Sequence, residues 1–445
     1  MHPFLPLTDE DKKQMLKRIG VSSFEELLRE IPEEARFKGQ LKLPPALSEM
    51  EVEELLRDIA DGNEELVIFA GGGAYDHYIP KAIFHIVSRP EFYTAYTPYQ
   101  PEVSQGTLQG MYEYQSAICE LTGMDIANAS MYDGGSALAE AALMALRIRD
   151  GKHRILYPAS LNPFYRDVLK TYLHGQSIPL QEVAYDDGTG QLDLDDLRNK
   201  LDDDVAALII QNPNFFGVIE RTDEIQRLKE ERGFLLIVSF DPVSLSLLSP
   251  PGEYGADIAV GEGQPLGLPL SFGGPYLGIF TTRRDYVRQM PGRMSGATVD
   301  VDGRRGFVMA LQTREQHIRR ERATSNICTN QNLCALTSLV YMSLMGTSGL
   351  EEVALQSMFK AHYMAEELVK AGFELRFSGP FFREFVVKLP VDAEGVVEKM
   401  ASRGFHAGIP LGRLGFDDNL LLIALTEKRK KREIDGYLEA LREVI

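Results

Sequence analysis

Between Arg154 and Thr281 the chain repeats one pattern, a short apolar run followed by a polar, helix-like segment. The runs are Arg154–Tyr157, Ile178–Ala184, Val205–Ile210, Leu235–Ser239 and Ile258–Val260, with Tyr276–Thr281 as one more. Helical segments separate most of them, notably Pro163–Leu173 and Thr222–Arg232. Short apolar strands alternating with helices predict a mostly parallel sheet covered on both faces. This pattern excludes all-helical and sandwich folds and fixes the class as α/β.

The flanks differ from this body. Residues 1–60 read as short helices forming an N-terminal arm, with Ser23–Glu26 and Ser48–Glu51 as capping boxes and Pro32 and Pro44-Pro45 as breaks. A large domain spans 61–330. It contains a helix at Leu108–Thr122 stopped by Gly123, and an alanine-rich helix opened by Asp133-Gly134-Gly135-Ser136. Residues 331–445 read as long helices, from Thr329 to Met345 and from Leu350 to Ala371, and then a small α+β domain. Its strands fall at Glu374–Phe377, Glu384–Lys388 and Leu420–Ala424, and its helices at Ala393–Arg403 and Glu427–Val444.

Composition narrows the class of function. The 445 residues carry 47 Lys and Arg against 65 Asp and Glu, a net charge of -18. Nonspecific binding to nucleic acid or to an anionic membrane is disfavoured by that balance. Cys119, Cys328 and Cys334 form no CxxC pair and no zinc spacing, which fits a reducing compartment and predicts no metal site. The N-terminus is too charged for a secretory signal, and no apolar run approaches the roughly 20 residues of a membrane span. The expectation is a cytoplasmic protein with no membrane and no nucleic-acid partner.

Several motifs carry chemistry, each beside a plainer alternative. Gly134, Gly135 and Ser136 open a helix whose backbone N–H groups suit a phosphate, and Ser136 is equally an ordinary capping residue. Gly71-Gly72-Gly73 fails the dinucleotide pattern because Asp76 stands at the third glycine position, so it reads as a tight turn exposing Tyr75, His77 and Tyr78. The loop Tyr93–Gln100, YTAYTPYQ, reads as a binding loop or as interface packing. Asp241 ends the strand Leu235–Ser239 and precedes Pro242; it suits either a pyridinium partner or a turn. The segment Arg304–Arg322 reads as a solvated, salt-bridged helix or as a basic face for an acidic partner. Between Lys229 and Lys360 there is no lysine. An enzyme that holds pyridoxal phosphate covalently needs one in the loop after the strand Ile258–Val260.

Four long strings, GGGAYDHYIP (Gly71–Pro80), TAYTPYQPEVSQGTLQ (Thr94–Gln109), GEGQPLGLPLSFGGPYLG (Gly261–Gly278) and LQTREQHIRRERATSNICTNQNL (Leu311–Leu333), together resemble the P protein of the glycine cleavage system. That enzyme is glycine dehydrogenase (decarboxylating), and the likeness is to subunit 1, the alpha subunit, of its split two-subunit form. The resemblance runs nearly end to end. It implies an aminotransferase-like fold, the type I fold of pyridoxal-phosphate-dependent transferases, and a homologous second subunit in an α2β2 heterotetramer. It implies that pyridoxal phosphate sits on the second subunit's lysine. Counting back from Gly273-Gly274-Pro275, the equivalent position here is Gln264, whose amide cannot anchor the cofactor. One departure is local, Asn162 before Pro163 where many first subunits carry histidine.

The implied activity belongs to glycine catabolism and is an oxidoreductase reaction. Glycine is decarboxylated and its aminomethyl group passes to the lipoyl group of H protein. No catalytic residue is expected within this chain alone, and the chain is expected to be inactive alone. The loop residues Tyr96, Thr97, Tyr99 and Gln100 are the candidates donated to the partner's active site. Gly134, Gly135, Ser136, Asp241 and Gln264 mark a degenerate cofactor site. Two other functions stay open at this level, a purely structural scaffold subunit and an independent enzyme using pyridoxamine phosphate.

Overall fold

A computed structural model describes Phe4 and residues 6–445. The chain divides into two compact units, Met1–Glu64 and Glu65–Ile445. The first contains the helices Asp9–Ile19, Phe24–Leu27 and Glu49–Asp61. Thr8 with Asp11 and Ser48 with Glu51 form reciprocal capping boxes. The box expected at Ser23 does not form; Ser22 bonds Glu26 in its place, and the helix lasts a single turn.

The second unit opens on β1 (Val67–Ile68). Its centre is a seven-stranded sheet of β2 (Ile126–Ala127), β3 (Arg154–Pro158), β4 (Leu180–Val183), β5 (Val205–Asn212), β6 (Leu235–Phe240), β7 (Ile258–Glu262) and β8 (Gly278–Thr282). The order is β2-β8-β7-β6-β5-β3-β4, and only β8 runs against its neighbours. Side chains alternate between two cores, which is why the strands are apolar almost throughout. Leu208, Ile210, Leu236 and Val238 join one core with Tyr114 and Ile118 of helix Gln105–Thr122. Ala207, Ile209, Leu235 and Ile237 join the other with Leu138 and Leu169 of helices Gly134–Ile148 and Pro163–His174.

A hairpin follows, β9 (Met294–Val299) and β10 (Arg305–Ala310). Residues beyond it do not form the expected arginine-rich helix. They break into a 3-10 turn at Gln312–Arg314, one helical turn at Gln316–Arg319 and a second 3-10 turn at Arg320–Arg322. The helical run Asn332–Lys370 is interrupted at Gly346 (φ 60, ψ -176), matching the two helices expected there. By length and composition alone the run resembles a membrane span. Its buried face instead packs Ala335, Tyr341 and Met342 into the first core and Ala361, Met364 and Leu368 into the small lobe.

The small lobe is an antiparallel sheet of β11 (Glu374–Leu375), β12 (Glu384–Lys388), β14 (Ile409–Pro410) and β15 (Leu420–Ala424), in the order β11-β12-β15-β14. The short β13 (Phe405–His406) pairs with β1. Helices Ala393–Ala401 and Lys431–Val444 close its core through Val396, Met400, Tyr437 and Leu441. This is the aminotransferase-like layout, a large α/β domain carrying a small α+β lobe. It places the C-terminal ends of β5, β6 and β7 side by side, with Asn212 opposite Phe240 and Phe240 opposite Gly261. Ligands of open α/β sheets bind at such ends.

One glycine joins the two lobes. Gly217 has φ +81, and a Cβ there would lie 2.0 Å from the backbone oxygen of Glu384. Gly217→Ala is expected to destabilise the protein by about 2–4 kcal/mol, from left-handed backbone and steric displacement together. Urea unfolding measures this, and a loss under about 0.5 kcal/mol, the range of an ordinary surface substitution, would contradict the close approach.

Candidate functional site

The residues expected at the degenerate cofactor site lie around the ends of β6 and β7. Gln264 is buried, and its amide is satisfied on both sides. It accepts a hydrogen bond from the Tyr75 backbone N–H (2.8 Å) and donates to the backbone oxygens of Tyr75 (3.0 Å) and Leu268 (2.8 Å). The side chain therefore splices the segment after Gly73 to the loop after β7.

Two residues earlier, Glu262 ends β7 and is 7% exposed. Its carboxylate accepts hydrogen bonds from the backbone N–H groups of Gly134 (2.9 Å), Gln264 (2.9 Å) and Leu277 (3.0 Å). Gly134 is the first residue of helix Gly134–Ile148, where unpaired N–H groups and the helix dipole favour an anion. The carboxyl that occupies this place is the chain's own Glu262. The N-cap is Asp133, which accepts from Ser136 N–H (2.7 Å); Ser136, at the third helical position, returns the bond by accepting from Asp133 N–H (3.1 Å), completing a capping box. Gly135 is buried behind it. Tyr165 covers the same helix start; a Cβ on Gly134 would fall 2.6 Å from its hydroxyl.

Asp241 follows β6 and is ion-paired to Arg383 at 2.5 Å. Arg383, immediately before β12, is 1% exposed. Its guanidinium lies 3.6 Å from the Tyr75 ring centroid and hydrogen-bonds His77 Nε2. His77 Nδ1 in turn meets Glu427 at 2.5 Å. Burial, with the Arg383 charge beside it, holds the imidazole pKa below its ordinary value despite Glu427. The neutral tautomer that fits donates from Nδ1 to Glu427 and accepts at Nε2 from Arg383. Glu384 accepts from the Tyr75 hydroxyl (2.6 Å) and from Gly72 N–H (2.7 Å). Tyr75 and His77 are thus buried, not exposed as the glycine turn suggested, because the small lobe's charges draw them inward.

Asp241, Glu262, Tyr165 and Arg383 line a cavity of about 30 Å³. That is room for little more than water. A pyridine ring and a phosphate do not fit, since Glu262 and Tyr165 cover the helix start and Arg383 already neutralises Asp241. Sequence reasoning missed Glu262, Tyr165 and Arg383. The available signal was a glutamate ending an otherwise apolar strand and an arginine opening another. Among the described residues, no cluster of three or more His, Cys, Asp or Glu is placed to hold a metal.

The loop candidates sit elsewhere, around a separate cavity of about 250 Å³ that Tyr96 and Thr97 line. Tyr96 is 75% exposed. Thr97 hydrogen-bonds Thr329, and the Tyr99 hydroxyl accepts from Arg293 at 2.5 Å. Gln100 is exposed and precedes the 3-10 turn Pro101–Val103. The structure therefore brings Asp241, Gln264 and the Gly134–Ser136 turn around one filled site, and Tyr96 and Thr97 around another, open one, with Tyr99 joined to its edge through Arg293.

Residues 2–441 match the family model described as glycine cleavage system P-protein. The chain is 53% identical over 446 residues to a protein of Chloroherpeton thalassium named "Probable glycine dehydrogenase (decarboxylating) subunit 1", covering 99% of this chain and 100% of that one. A protein of the same name from Prosthecochloris aestuarii is 55% identical over 445 residues, covering 99% of both. Among solved structures, the inhibitor-bound crystal structure of glycine decarboxylase (P-protein) of the glycine cleavage system superposes with a TM-score of 0.89 at 43% identity, over 99% of this chain and 100% of that one.

Burial pushes the Glu262 carboxyl up to about 7 from an ordinary 4.5, against the pull of its three N–H donors. A folded-state value above the unfolded one means the native state holds the proton more tightly. The stabilisation this gives is complete below pH 4.5 and is lost as pH rises towards 7. The stability of the wild type minus that of Glu262→Gln should therefore fall across this window in urea unfolding series. A difference independent of pH would contradict a buried, titrating carboxylate.

Proposed function

The chain belongs to the glycine cleavage system P-protein family, and we propose that it is the subunit of that enzyme that does not anchor pyridoxal phosphate. One observation carries the reading. Gln264, at the position matched to the anchoring lysine, has an amide with no nucleophilic nitrogen, fixed by three hydrogen bonds. The filled pocket around Asp241 and Glu262 supports it. An independent enzyme using pyridoxamine phosphate needs a proton-transferring group at this position, and a bonded carboxamide is not one.

In this reading the chain is subunit 1 of a glycine dehydrogenase (decarboxylating). It assembles with a homologous second subunit, as α2β2, in the cytoplasm, and the second subunit carries the cofactor. The cofactor, where it is bound, supplies an electron sink for the carboxyl bond of glycine. The assembled enzyme breaks that bond and releases CO2. The aminomethyl carbon then bonds to one sulfur of the H-protein lipoyl disulfide, while the other sulfur leaves as a thiol. This chain's contribution is the folded half of the unit and the loop Tyr96–Gln100. Its tyrosine and threonine hydroxyls and amide are groups that orient a small zwitterion or a phosphate.

The first expected outcome is that the purified chain, given H protein and pyridoxal phosphate, exchanges no bicarbonate into glycine until the second subunit is added. Turnover by the lone chain would contradict the assignment. The second concerns the loop. Thr97→Val and Tyr99→Phe remove hydroxyls at nearly constant shape, and loss of one orienting contact costs about 1–3 kcal/mol, or roughly ten- to a hundredfold in rate. Complexes that co-elute at wild-type stoichiometry yet retain full exchange would make the loop interface packing and the chain a scaffold.

A further inference from the structure

Arg293 is 6% exposed, yet it borders the open cavity that Tyr96 and Thr97 line. A buried guanidinium needs a counter-charge and partners for its N–H groups. Glu315, also buried, supplies the charge, 3.1 Å from Nε. The other donors do not turn into the core. One nitrogen donates to the Tyr99 hydroxyl (2.5 Å) and also approaches Cys328 Sγ (3.6 Å); the other donates to Thr329 Oγ1 (3.0 Å). Thr329 then hydrogen-bonds Thr97. His317 stands edge-on to Tyr99, with ring centroids 5.3 Å apart, and its Nδ1 lies 3.6 Å from Glu315.

The base of this arrangement is fixed. Arg314, next to Glu315, is buried and donates to the backbone oxygens of Met290 and Gly292. The loop it supports has no regular secondary structure from Ala95 to Gln100. A guanidinium already neutralised by Glu315 is poorly suited to capture an anion. Its rigid fork is well suited to fixing two hydroxyls at once. We infer that Arg293, anchored by Glu315, is the positioning residue that holds Tyr99 and Thr329, and Thr97 through Thr329, in the arrangement offered to the second subunit's active site. The inference rests on the reading of the loop as donated to that site.

The test has two arms. In the chain alone, the backbone N–H of Thr329 and the Arg293 guanidinium lower the pKa of the exposed Cys328 thiol. Arg293→Gln should slow alkylation of Cys328 by iodoacetamide near neutral pH by at least about threefold, and Arg293→Lys should restore part of it. An unchanged alkylation rate would overturn the geometry whatever the activity does. In the assembled enzyme, Arg293→Gln should lower the turnover of glycine–bicarbonate exchange roughly ten- to a hundredfold with the subunits still co-eluting. Adding Tyr99→Phe to Arg293→Gln should cost nothing more, because both remove one coupled contact; multiplicative losses would overturn the inference. Slowed alkylation with wild-type exchange would instead sink the reading of the loop, and the role of Arg293 with it. Because Arg293→Gln strands the Glu315 charge, the pair Arg293→Gln/Glu315→Gln is measured beside it. Full exchange by that uncharged pair would also overturn the inference.

Discussion

A guanidinium with almost no access to water organises this molecule. Arg383 is 1% exposed, and a charge so buried persists only if its surroundings are built for it. Asp241 provides the counter-charge from the end of β6, and Tyr75 provides a ring face 3.6 Å away. His77 links the same guanidinium to Glu427. These partners come from the sheet, from the turn after β1 and from the small lobe. One cation therefore fixes three parts of the fold against each other. Nearby, Asp76 meets both Lys428 (2.5 Å) and Arg429 (2.9 Å), extending the same join.

The consequence is a pocket occupied by the protein itself. In the layout this fold shares with cofactor-binding enzymes, a helix start, a strand-ending aspartate and a loop after the next strand converge on one cleft. Here each has an internal partner: Glu262 for the N–H groups of the helix start, Arg383 for Asp241, and backbone groups for Gln264. The groups that would hold a phosphate or a pyridinium are thus already engaged within the chain. Replacing Gln264 alone would leave the Glu262 and Arg383 contacts in place. An open cavity lies instead beside Tyr96 and Thr97; Thr97 hydrogen-bonds Thr329, and the neighbouring Tyr99 hydroxyl accepts from Arg293. That division, a closed site of its own and an open rim, is what a supporting subunit requires.

Much of this was legible in the residues. The central strands were recoverable because burial on both faces makes them apolar, and Gly123 stops its helix by its left-handed backbone. Asp241 was singled out by its place after a strand, and Gln264 by the resemblance, counting back from Gly273-Gly274-Pro275. What escaped depends on distance along the chain. Arg383 and Tyr75 are 308 positions apart in number only, and no local pattern joins them; their contact is a product of the fold. Local likeness also misled. Alternating charges at Arg304–Arg322 resembled a helix, but Arg314 and Glu315 are buried partners of other segments and the chain must bend to deliver them. Ser136 does serve the cap, but as the third helical residue of a capping box whose N-cap is Asp133, with a stronger, charged acceptor.

The account turns on the claim that the cofactor pocket of this chain is filled by its own side chains. Equilibrium dialysis of the purified chain against pyridoxal phosphate tests it most directly, because it registers noncovalent as well as covalent binding. The account predicts no saturable uptake, with any bound cofactor scattered over surface lysines and unaffected by inorganic phosphate. Retention of one equivalent per chain, displaced by phosphate, would show a working cradle at Gly134 and contradict it.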